Sequence, residues 1–430
     1  MTFPARVSKT GGRSAATRHI PPKLALSVGM PKTPAPKGWQ WSALTELARL
    51  ESGHTPSRKH PEYWRGDIPW ISIGDARAHD GKRIDDTEEK TNELGIENSS
   101  ARILPANTVC LSRTASVGYV VVMGQPMATS QDFVNWVCSK KLDCNFLKYL
   151  FIAEDEDLLR FASGAVHQTI YFPEVKAFHI RHPSLAEQKR IVGLLDEAFA
   201  GLATAKANAE KNLQNSRALV ESHLESVFTM LGKGRTITTI SGVAEVFDGP
   251  HATPKTVDRG PVFLGISALQ DGKINLGETR HVSLEDFQKW TRRVRPRAND
   301  VVFSYETRLG QAAIIPEGLD CCLGRRMGLV RLDQTRIDPR FFVHQYLSPP
   351  FRAFLGGRTV RGATVDRIAL KEFPTFPIAL PPLIEQVRVA DKIEDLRAKT
   401  QRLEGLYRQK LVALEGLKRS LLHQAFSGNL

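Results

Sequence analysis

The chain repeats itself, and that repetition limits its architecture more than any other property of the sequence. Phe178 recurs as Phe376, Pro183 as Pro381, Leu185 as Leu383, Glu187-Gln188 as Glu385-Gln386 and Arg190 as Arg388, each pair 198 residues apart. Gly164-Ala165 answers Gly362-Ala363 at the same offset. Upstream the offset drifts, as loops of unequal length would make it. Asn107, Val109, Ser112 and Gly118 match Asn299, Val301, Ser304 and Gly310 at an offset of 192. Gly53 with Thr55-Pro56 corresponds to Gly249 with Thr253-Pro254, and Asp80-Gly81-Lys82 to Asp271-Gly272-Lys273. An ordered series of this kind means two tandem copies of one unit.

Each copy has a globular part and a helical part. The globular parts, residues 38–183 and 238–381, are rich in Gly, Pro and β-branched residues. Runs at 68–73, 108–112, 119–123 and 261–266 read as short strands, and 146–162 and 339–347 as helical pieces. The helical parts cover 184–232 and 382–430. Ser184 with Glu187 predicts a capping box, the hydroxyl accepting one free amide while the carboxylate reaches back to another. Pro381-Pro382 marks the second helix start, because proline costs little in a first turn.

Within the helices, small or apolar residues recur at alternating spacings of three and four. The first carries Ile191, Leu195, Ala198, Leu202, Ala205 and Ala209. The second carries Val389, Ile393, Leu396, Leu403, Tyr407, Leu411, Leu414 and Leu421, with Thr400 filling a gap. Such a stripe reads as the seam of a coiled coil. The alternative is an amphipathic helix packed on its own domain. Length favours the seam, since ~40 residues rising ~1.5 Å each extend ~60 Å, beyond the width of a small domain. The expected fold class is therefore α+β: two duplicated mixed α/β domains separated by two long helices paired as an antiparallel coiled coil, with pseudo-twofold symmetry. Such a caliper suits duplex DNA, whose backbone is itself twofold symmetric.

Composition removes other classes. No stretch approaches the ~18 uninterrupted apolar residues of a membrane-spanning helix. The net charge of +13 favours a polyanionic partner. Seven basic residues (Arg6, Lys9, Arg13, Arg18, Lys23, Lys32 and Lys37) precede the first acid, Glu46. Residues 1–37 read as a disordered basic arm, or as a leader ahead of a true start at Met30. The apolar run 24–30 lacks the small-residue cleavage site of a signal peptide. Cys110, Cys138, Cys144, Cys321 and Cys322 form neither an even set nor a C-x-x-C pair. A disulfide framework and a structural zinc are disfavoured, and a reducing cytoplasm fits best.

Gly53-His54-Thr55-Pro56-Ser57 is followed by Tyr63-Trp64-Arg65-Gly66-Asp67-Ile68-Pro69-Trp70-Ile71. Two Pro-x-x-x-Glu-Gln helix starts stand at Pro183 to Gln188 and Pro381 to Gln386, and Leu417 to Gly428 closes the chain's second helical part. With the duplication, this pattern resembles the specificity (S) subunit of type I restriction-modification systems, from about residue 37 onward. The resemblance implies a non-catalytic, cytoplasmic subunit. Residues 38–183 and 238–381 would be target recognition domains, each reading one half of a bipartite, asymmetric site in double-stranded DNA. The conserved helical regions 184–232 and 382–430 would set the spacer and dock two methyltransferase subunits, which carry S-adenosylmethionine and modify adenine. Two restriction motor-nuclease subunits using ATP and magnesium would complete the assembly. This chain would hold no cofactor and no metal.

The residues agree that catalysis lies elsewhere. There is no G-x-x-x-x-G-K-[ST] loop for nucleotide phosphates. Ser348-Pro349-Pro350-Phe351 resembles the tetrapeptide with which amino-methyltransferases hold a flipped base, but no glycine-rich cofactor turn accompanies it. A helix interrupted by two prolines explains it better. Glu174-Val175-Lys176 has no partner acid with which to bind a nuclease metal. His54, His167 and His251 lie near glycine-rich turns and read as loop residues rather than ligands. A catalytic methylase or nuclease, and a scaffold that binds no DNA, are the competing functions.

Reading bases favours Arg on guanine and Asn or Gln on adenine, while phosphates need cations or amides. Ser112-Arg113-Thr114 follows a predicted strand, and Ser304, Tyr305 and Arg308 occupy the matching loop of the second copy. Both are candidate DNA contacts, against the alternative that each Arg pairs with a neighbouring carboxylate. Further candidates are Arg292 and Arg293 with Arg295 and Arg297, Arg325-Arg326, Arg358 and Arg361, and in the first copy His167 and Gln168. Tyr63, Trp64 and Trp70 read as core aromatics rather than base-stacking partners.

Overall fold

The computed structural model describes residues 18–164, 168–232, 236–361 and 365–430. It divides into two units, residues 1–207 with 411–430 and residues 208–410, and the boundary falls inside both long helices. Each unit therefore holds one globular domain and one end of each helix.

In the first unit the central sheet runs in the order Ala48–Ser52, Phe133–Cys138, Thr108–Ser112, Val120–Met123, Arg83–Ile84. All pairings are antiparallel except the last. Thr108–Ser112 and Val120–Met123 are buried along their whole length, as β-branched runs inside a covered sheet should be. The helix Cys144–Glu154 covers one face, and its Phe146, Leu147 and Leu150 join Val109, Leu111 and Trp136 in one core. A second sheet places Phe178–His182 between Leu26–Val28 and Gln40–Ala43.

That sheet corrects the expectation of a disordered arm over residues 1–37 for its described part, residues 18–37. Ala25, Leu26 and Val28 are fully buried, and Leu26–Val28 pairs antiparallel with Phe178–His182. The basic composition hid a strand whose partner lies about 150 residues away, a non-local pairing invisible to local patterning. Residues 1–17 lie outside the described residues.

The second unit repeats the plan. Its sheet runs Ala244–Asp248, Met327–Leu332, Val301–Ser304, Ala312–Ile314, antiparallel throughout. The helix Pro339–Leu347 packs on it, with Phe341, Phe342 and Tyr346 in the core. Asn107 and Asn299, matched in sequence, share a left-handed backbone at φ 67° and 69°, a conformation that asparagine tolerates better than most residues.

The duplicated Glu-Gln motif explains how each domain is fastened to its helix. Gln188 is fully buried; its Oε1 accepts from the Asp143 amide at 2.9 Å, and its Nε2 donates to the carbonyls of Lys141 and Pro183. Gln386 does the same with the Asp338 amide and the carbonyls of Arg336 and Pro381. Asp143 and Asp338 then cap the next helix, each accepting two amides. Gln188→Leu and Gln386→Leu each strand a buried amide and two carbonyls. Each is expected to destabilise its own unit by about 2–3 kcal/mol. Denaturant titrations of the two variants check this, and transitions identical to the parent's would refute it.

The long helices span Leu185–Gly232 and Leu383–Ser427. In the first unit Arg190 reaches the Leu430 carbonyl and Lys206 pairs with Glu415 at 2.9 Å. In the second, Arg217 meets Glu404 at 3.5 Å. Partner numbers fall as helix numbers rise, so the helices run antiparallel. Both readings of the apolar stripe hold, on different stretches. Ile191 and Leu195 pack with Leu422 and Phe426 in the first domain's core, and Leu224 and Phe228 with Ala390 and Ile393 in the second's. Between them Ala198, Leu202, Ala205, Leu396 and Leu414 are half-buried, while Ala209 and Thr400 are buried; Val389, nearer the second domain, is half-buried.

Two details differ from expectation. Leu403 is 42% exposed, and the inward place belongs to Glu404, which keeps the 4-3-4-3 rhythm from Thr400 through Tyr407 and Leu411 to Leu414. Arg217 and Arg408 pair with that carboxylate. The capping box at Ser184 is half formed. Ser184 accepts from the Glu187 amide at 3.4 Å, but the Glu187 carboxylate turns forward to Arg190, where a charged partner outcompetes a backbone amide.

Candidate nucleic-acid interface

In an antiparallel sheet, alternate strand ends share an edge, so three loops of each domain emerge together, the central one joining two neighbouring strands. In the first domain these follow Ser52 and Ser112 and precede Val120 and Phe133. In the second they follow Asp248 and Ser304 and precede Ala312 and Met327. A hairpin from further along the chain joins each group. Ser163 bridges Thr169 in the first domain, and Thr359–Val360 pairs with Arg367–Ile368 in the second.

The central loop has one shape in both copies. The Ser116 amide donates to the Thr114 carbonyl at 2.7 Å, and the Arg308 amide to that of Glu306 at 2.8 Å. Between them Ala115 and Thr307 take left-handed backbones, φ 62° and 67°. The hairpin docks on it identically, Ile170 donating to Arg113 O and Ile368 to Tyr305 O. This alignment places Arg113 opposite Tyr305 and Arg308 opposite Ser116, so the two arginines occupy different positions.

Side chains decide what the loops can do. Ser112 is buried, donates to the Ser116 carbonyl and accepts from the Tyr119 amide. Ser304 is buried and donates to the Glu306 carbonyl. Both hydroxyls hold their own turn and are unavailable to DNA. Tyr305 is also buried, its hydroxyl donating to Asp248 at 2.9 Å, and burial pushes its ionisation well above the usual phenol range. These three expected contacts are structural.

The remaining candidates separate clearly. Arg113 is half-buried over Phe172 at 4.9 Å and donates to the Gln131 carbonyl; burial lowers its pKa. Thr114 hydrogen-bonds Thr169 across to the hairpin, and Gln168 is exposed beside it. His167 lies outside the described residues. Arg308 is exposed and touches the Ser267 carbonyl at 3.3 Å. Arg358 stacks over Phe354 at the end of the helix Pro349–Gly357, one residue before the hairpin that carries Arg361 and Arg367. Arg361 and Arg367 are exposed, and the Arg367 backbone forms an isolated β-bridge with that of Glu306 in the central loop. Arg292 and Arg293 are exposed on the turn after Leu284–Trp290, outside this loop group.

The structure adds Gln131 and His251 to the candidates named from the sequence and brings Arg326, already among them, into the second group. Gln131, exposed, hydrogen-bonds Thr55, which brings the Gly53 loop into the first group. In the second group Arg326 pairs with Glu306 at 2.8 Å and meets His251 at 3.2 Å, while His251 pairs with Asp248 at 2.9 Å. Only strand register could have revealed these meetings. The two surfaces therefore share a scaffold and differ in lettering. The first presents neutral polar groups around Arg113 and Asp132; the second presents Arg308, Arg325, Arg326, Arg361 and Arg367 against Glu306 and Asp366.

The chemistry sites weighed in the sequence resolve as structure. Ser348 caps Pro349–Gly357, and Phe351 is core, so that tetrapeptide is a helix junction. Trp70 is buried and T-stacked on Trp64 at 5.1 Å, with Arg58 lying over Trp64. Among the described residues no cluster of His, Cys, Asp and Glu could hold a metal, and no helix is long and apolar enough to cross a membrane.

Residues 36–213 match the type I restriction modification DNA specificity domain. The chain is 32% identical over 162 residues to the type I restriction enzyme MjaIX specificity subunit of Methanocaldococcus jannaschii, covering 37% of this chain and 38% of that one. It is 28% identical over 165 residues to the EcoR124I/EcoR124II specificity subunit of Escherichia coli, covering 37% and 40%. The matched segments thus span well under half of these relatives. Fold likeness extends further. A chain from a structural study of complex assembly and conformational transition in the type I R-M system superposes with a TM-score of 0.72 at 19% identity, covering 93% of this chain and all of that one. The HsdS subunit from Thermoanaerobacter tengcongensis gives 0.61 at 18%, covering 93% and 99%.

Proposed function

We infer that this chain is the DNA-recognition (specificity) subunit of a type I restriction-modification complex and carries no catalysis of its own. Each loop group reads one half of a bipartite, asymmetric site in double-stranded DNA. The paired helices set the spacer and dock two methyltransferase subunits. S-adenosylmethionine belongs to those subunits, and ATP with magnesium to two restriction subunits, all working in the cytoplasm.

One observation carries this reading: two loop groups of the same backbone shape bear different side chains at equivalent positions. A duplicated scaffold with divergent lettering is what reading two unlike half-sites requires, because base choice resides in side chains and loop presentation in the backbone. Arg308 with Arg361 and Arg367 supplies cationic donors for guanine edges or phosphates; Gln131 and Gln168 supply amides suited to adenine.

The test is modular exchange. Replacing residues 38–183 with the corresponding domain of another specificity subunit, in cells that also express the methyltransferase, is expected to change one half of the methylated motif and leave the other intact. Sequencing of methylated adenines reads the result. A change in both halves, or in neither, would sink the assignment.

A further inference from the structure

The two copies diverge sharply where the recognition domain meets its long helix. In the first unit Tyr149 stands edge-on to Phe199, ring centroids 5.4 Å apart, and its hydroxyl donates to Asp196. Counting from the equivalent caps Asp143 and Asp338, Tyr149 becomes His344. Counting from Gln188 and Gln386, Asp196 becomes Glu394 and Phe199 becomes Arg397. An aromatic plug has given way to an imidazole and a guanidinium, and the second unit has a groove of about 1290 Å³ lined by both.

His344 lacks the carboxylate partner that Tyr149 has in the first copy, and Arg397 stands where that copy has an aromatic ring. Glu394, equivalent to the acid that holds Tyr149, is drawn off by Arg340 at 3.1 Å. His344 is 4% exposed, and neither ring nitrogen has a hydrogen-bond partner among the described residues. Burial, with Arg397 and Arg340 nearby, lowers its pKa to about 3, so the ring is neutral and offers one N–H. Arg397 donates to the Asp271 carbonyl at 2.7 Å, and no carboxylate among the described residues pairs with it. Burial lowers its pKa as well. By contrast Arg217, Arg352 and Arg408 around the same groove are each paired with Glu404 or Glu221. Buried polar groups are almost always satisfied, so an unpaired imidazole beside a guanidinium with donors to spare calls for an occupant.

We propose that this groove binds a ligand bearing an oxyanion, a carboxylate or phosphate group that Arg397 grips and His344 hydrogen-bonds. A guanidinium fork matches two oxygens of either group, and the neutral imidazole contributes a donor without a second desolvated charge. Val220, Leu224, Ile274 and Leu347 supply an apolar wall for the ligand's carbon portion. The site belongs to the second copy alone, because Tyr149 and Phe199 fill its counterpart. It does not depend on the DNA-reading function.

Calorimetric titration of the full chain with inorganic phosphate, and separately with glutarate, tests the proposal. One saturable site is expected for at least one probe; phosphate alone or glutarate alone identifies the preferred oxyanion. Arg397→Gln is expected to weaken that binding at least tenfold. The pair His344→Tyr with Arg397→Phe installs the plug that the first copy already folds with, and is expected to abolish binding while the protein melts cooperatively. If Arg397→Gln fails to fold, this transplant decides. Arg308→Gln with Arg361→Gln keeps the site if it is the groove. Absence of binding by either probe, parental affinity in Arg397→Gln or the transplant, or loss of binding in the Arg308/Arg361 variant would overturn the proposal.

Discussion

Replacing Glu154 with alanine is expected to destabilise the first unit by about 3–5 kcal/mol, through removal of one partner of a buried ion pair. Its carboxylate is fully buried at the end of Cys144–Glu154 and accepts from the amides of Ala25 and Leu26 at 2.7 and 2.8 Å. Arg160 pairs with it at 3.1 Å and donates to the carbonyls of Pro21 and Leu26. Glu154 and Arg160 together therefore fasten the strand Leu26–Val28 to the rest of the domain. Burial raises the Glu154 pKa while those amides and the guanidinium hold it down. Alanine leaves two amides and a largely buried guanidinium without their acceptor. Glutamine restores an acceptor but not the charge, and is expected to recover part of the loss. Urea titration ranks the variants, and hydrogen exchange at Leu26 to Val28 locates the effect. Equal stability of Glu154→Ala and the parent would show that this strand is dispensable.

That strand also marks the limit of what sequence patterning could reveal. The duplication was legible because a residue kept in both copies does the same job twice, as Gln188 and Gln386 do atom for atom. The helical stripe was legible from its period. Its phase slipped at one point, because hydrophobicity selects Leu403 while the period selects Glu404, and two arginines make the acid tolerable there. The loops lie where the strands were expected to end, but three of their side chains face inward. Ser112, Ser304 and Tyr305 looked available because a loop was expected to point outward, yet each turns inward to a bond that only the folded loop creates. Arg326 meeting Glu306 and His251 depends on strand register, which no local pattern encodes. Basic composition, finally, marked residues 1–37 as an arm although a strand from the far end of the domain pairs with Leu26–Val28.

Neutralising Arg308, Arg361 and Arg367 together as glutamines is expected to weaken specific DNA binding by about 3–6 kcal/mol, on the order of a hundredfold or more in affinity. All three are exposed, and none of them has a carboxylate partner among the described residues. Their loss would therefore remove the proposed DNA contacts without stranding an internal charge. The salt dependence separates their roles. Each lost phosphate contact lowers the slope of log K against log salt by about 0.9, so three would lower it by ~2.7. An arginine that reads a guanine edge relaxes discrimination at one base pair instead. Because all three belong to the second loop group, mismatches in one half-site should cease to matter as much, while mismatches in the other keep their full cost. Ser304→Ala and Tyr305→Phe serve as contrasts: both groups are turned inward, so each is expected to lower stability without altering base preference. Fluorescence anisotropy of the chain assembled with its methyltransferase, on half-site mismatch series at several salt concentrations, reads all of these. A triple variant with unchanged slope and unchanged mismatch penalties would remove this loop group from the DNA interface.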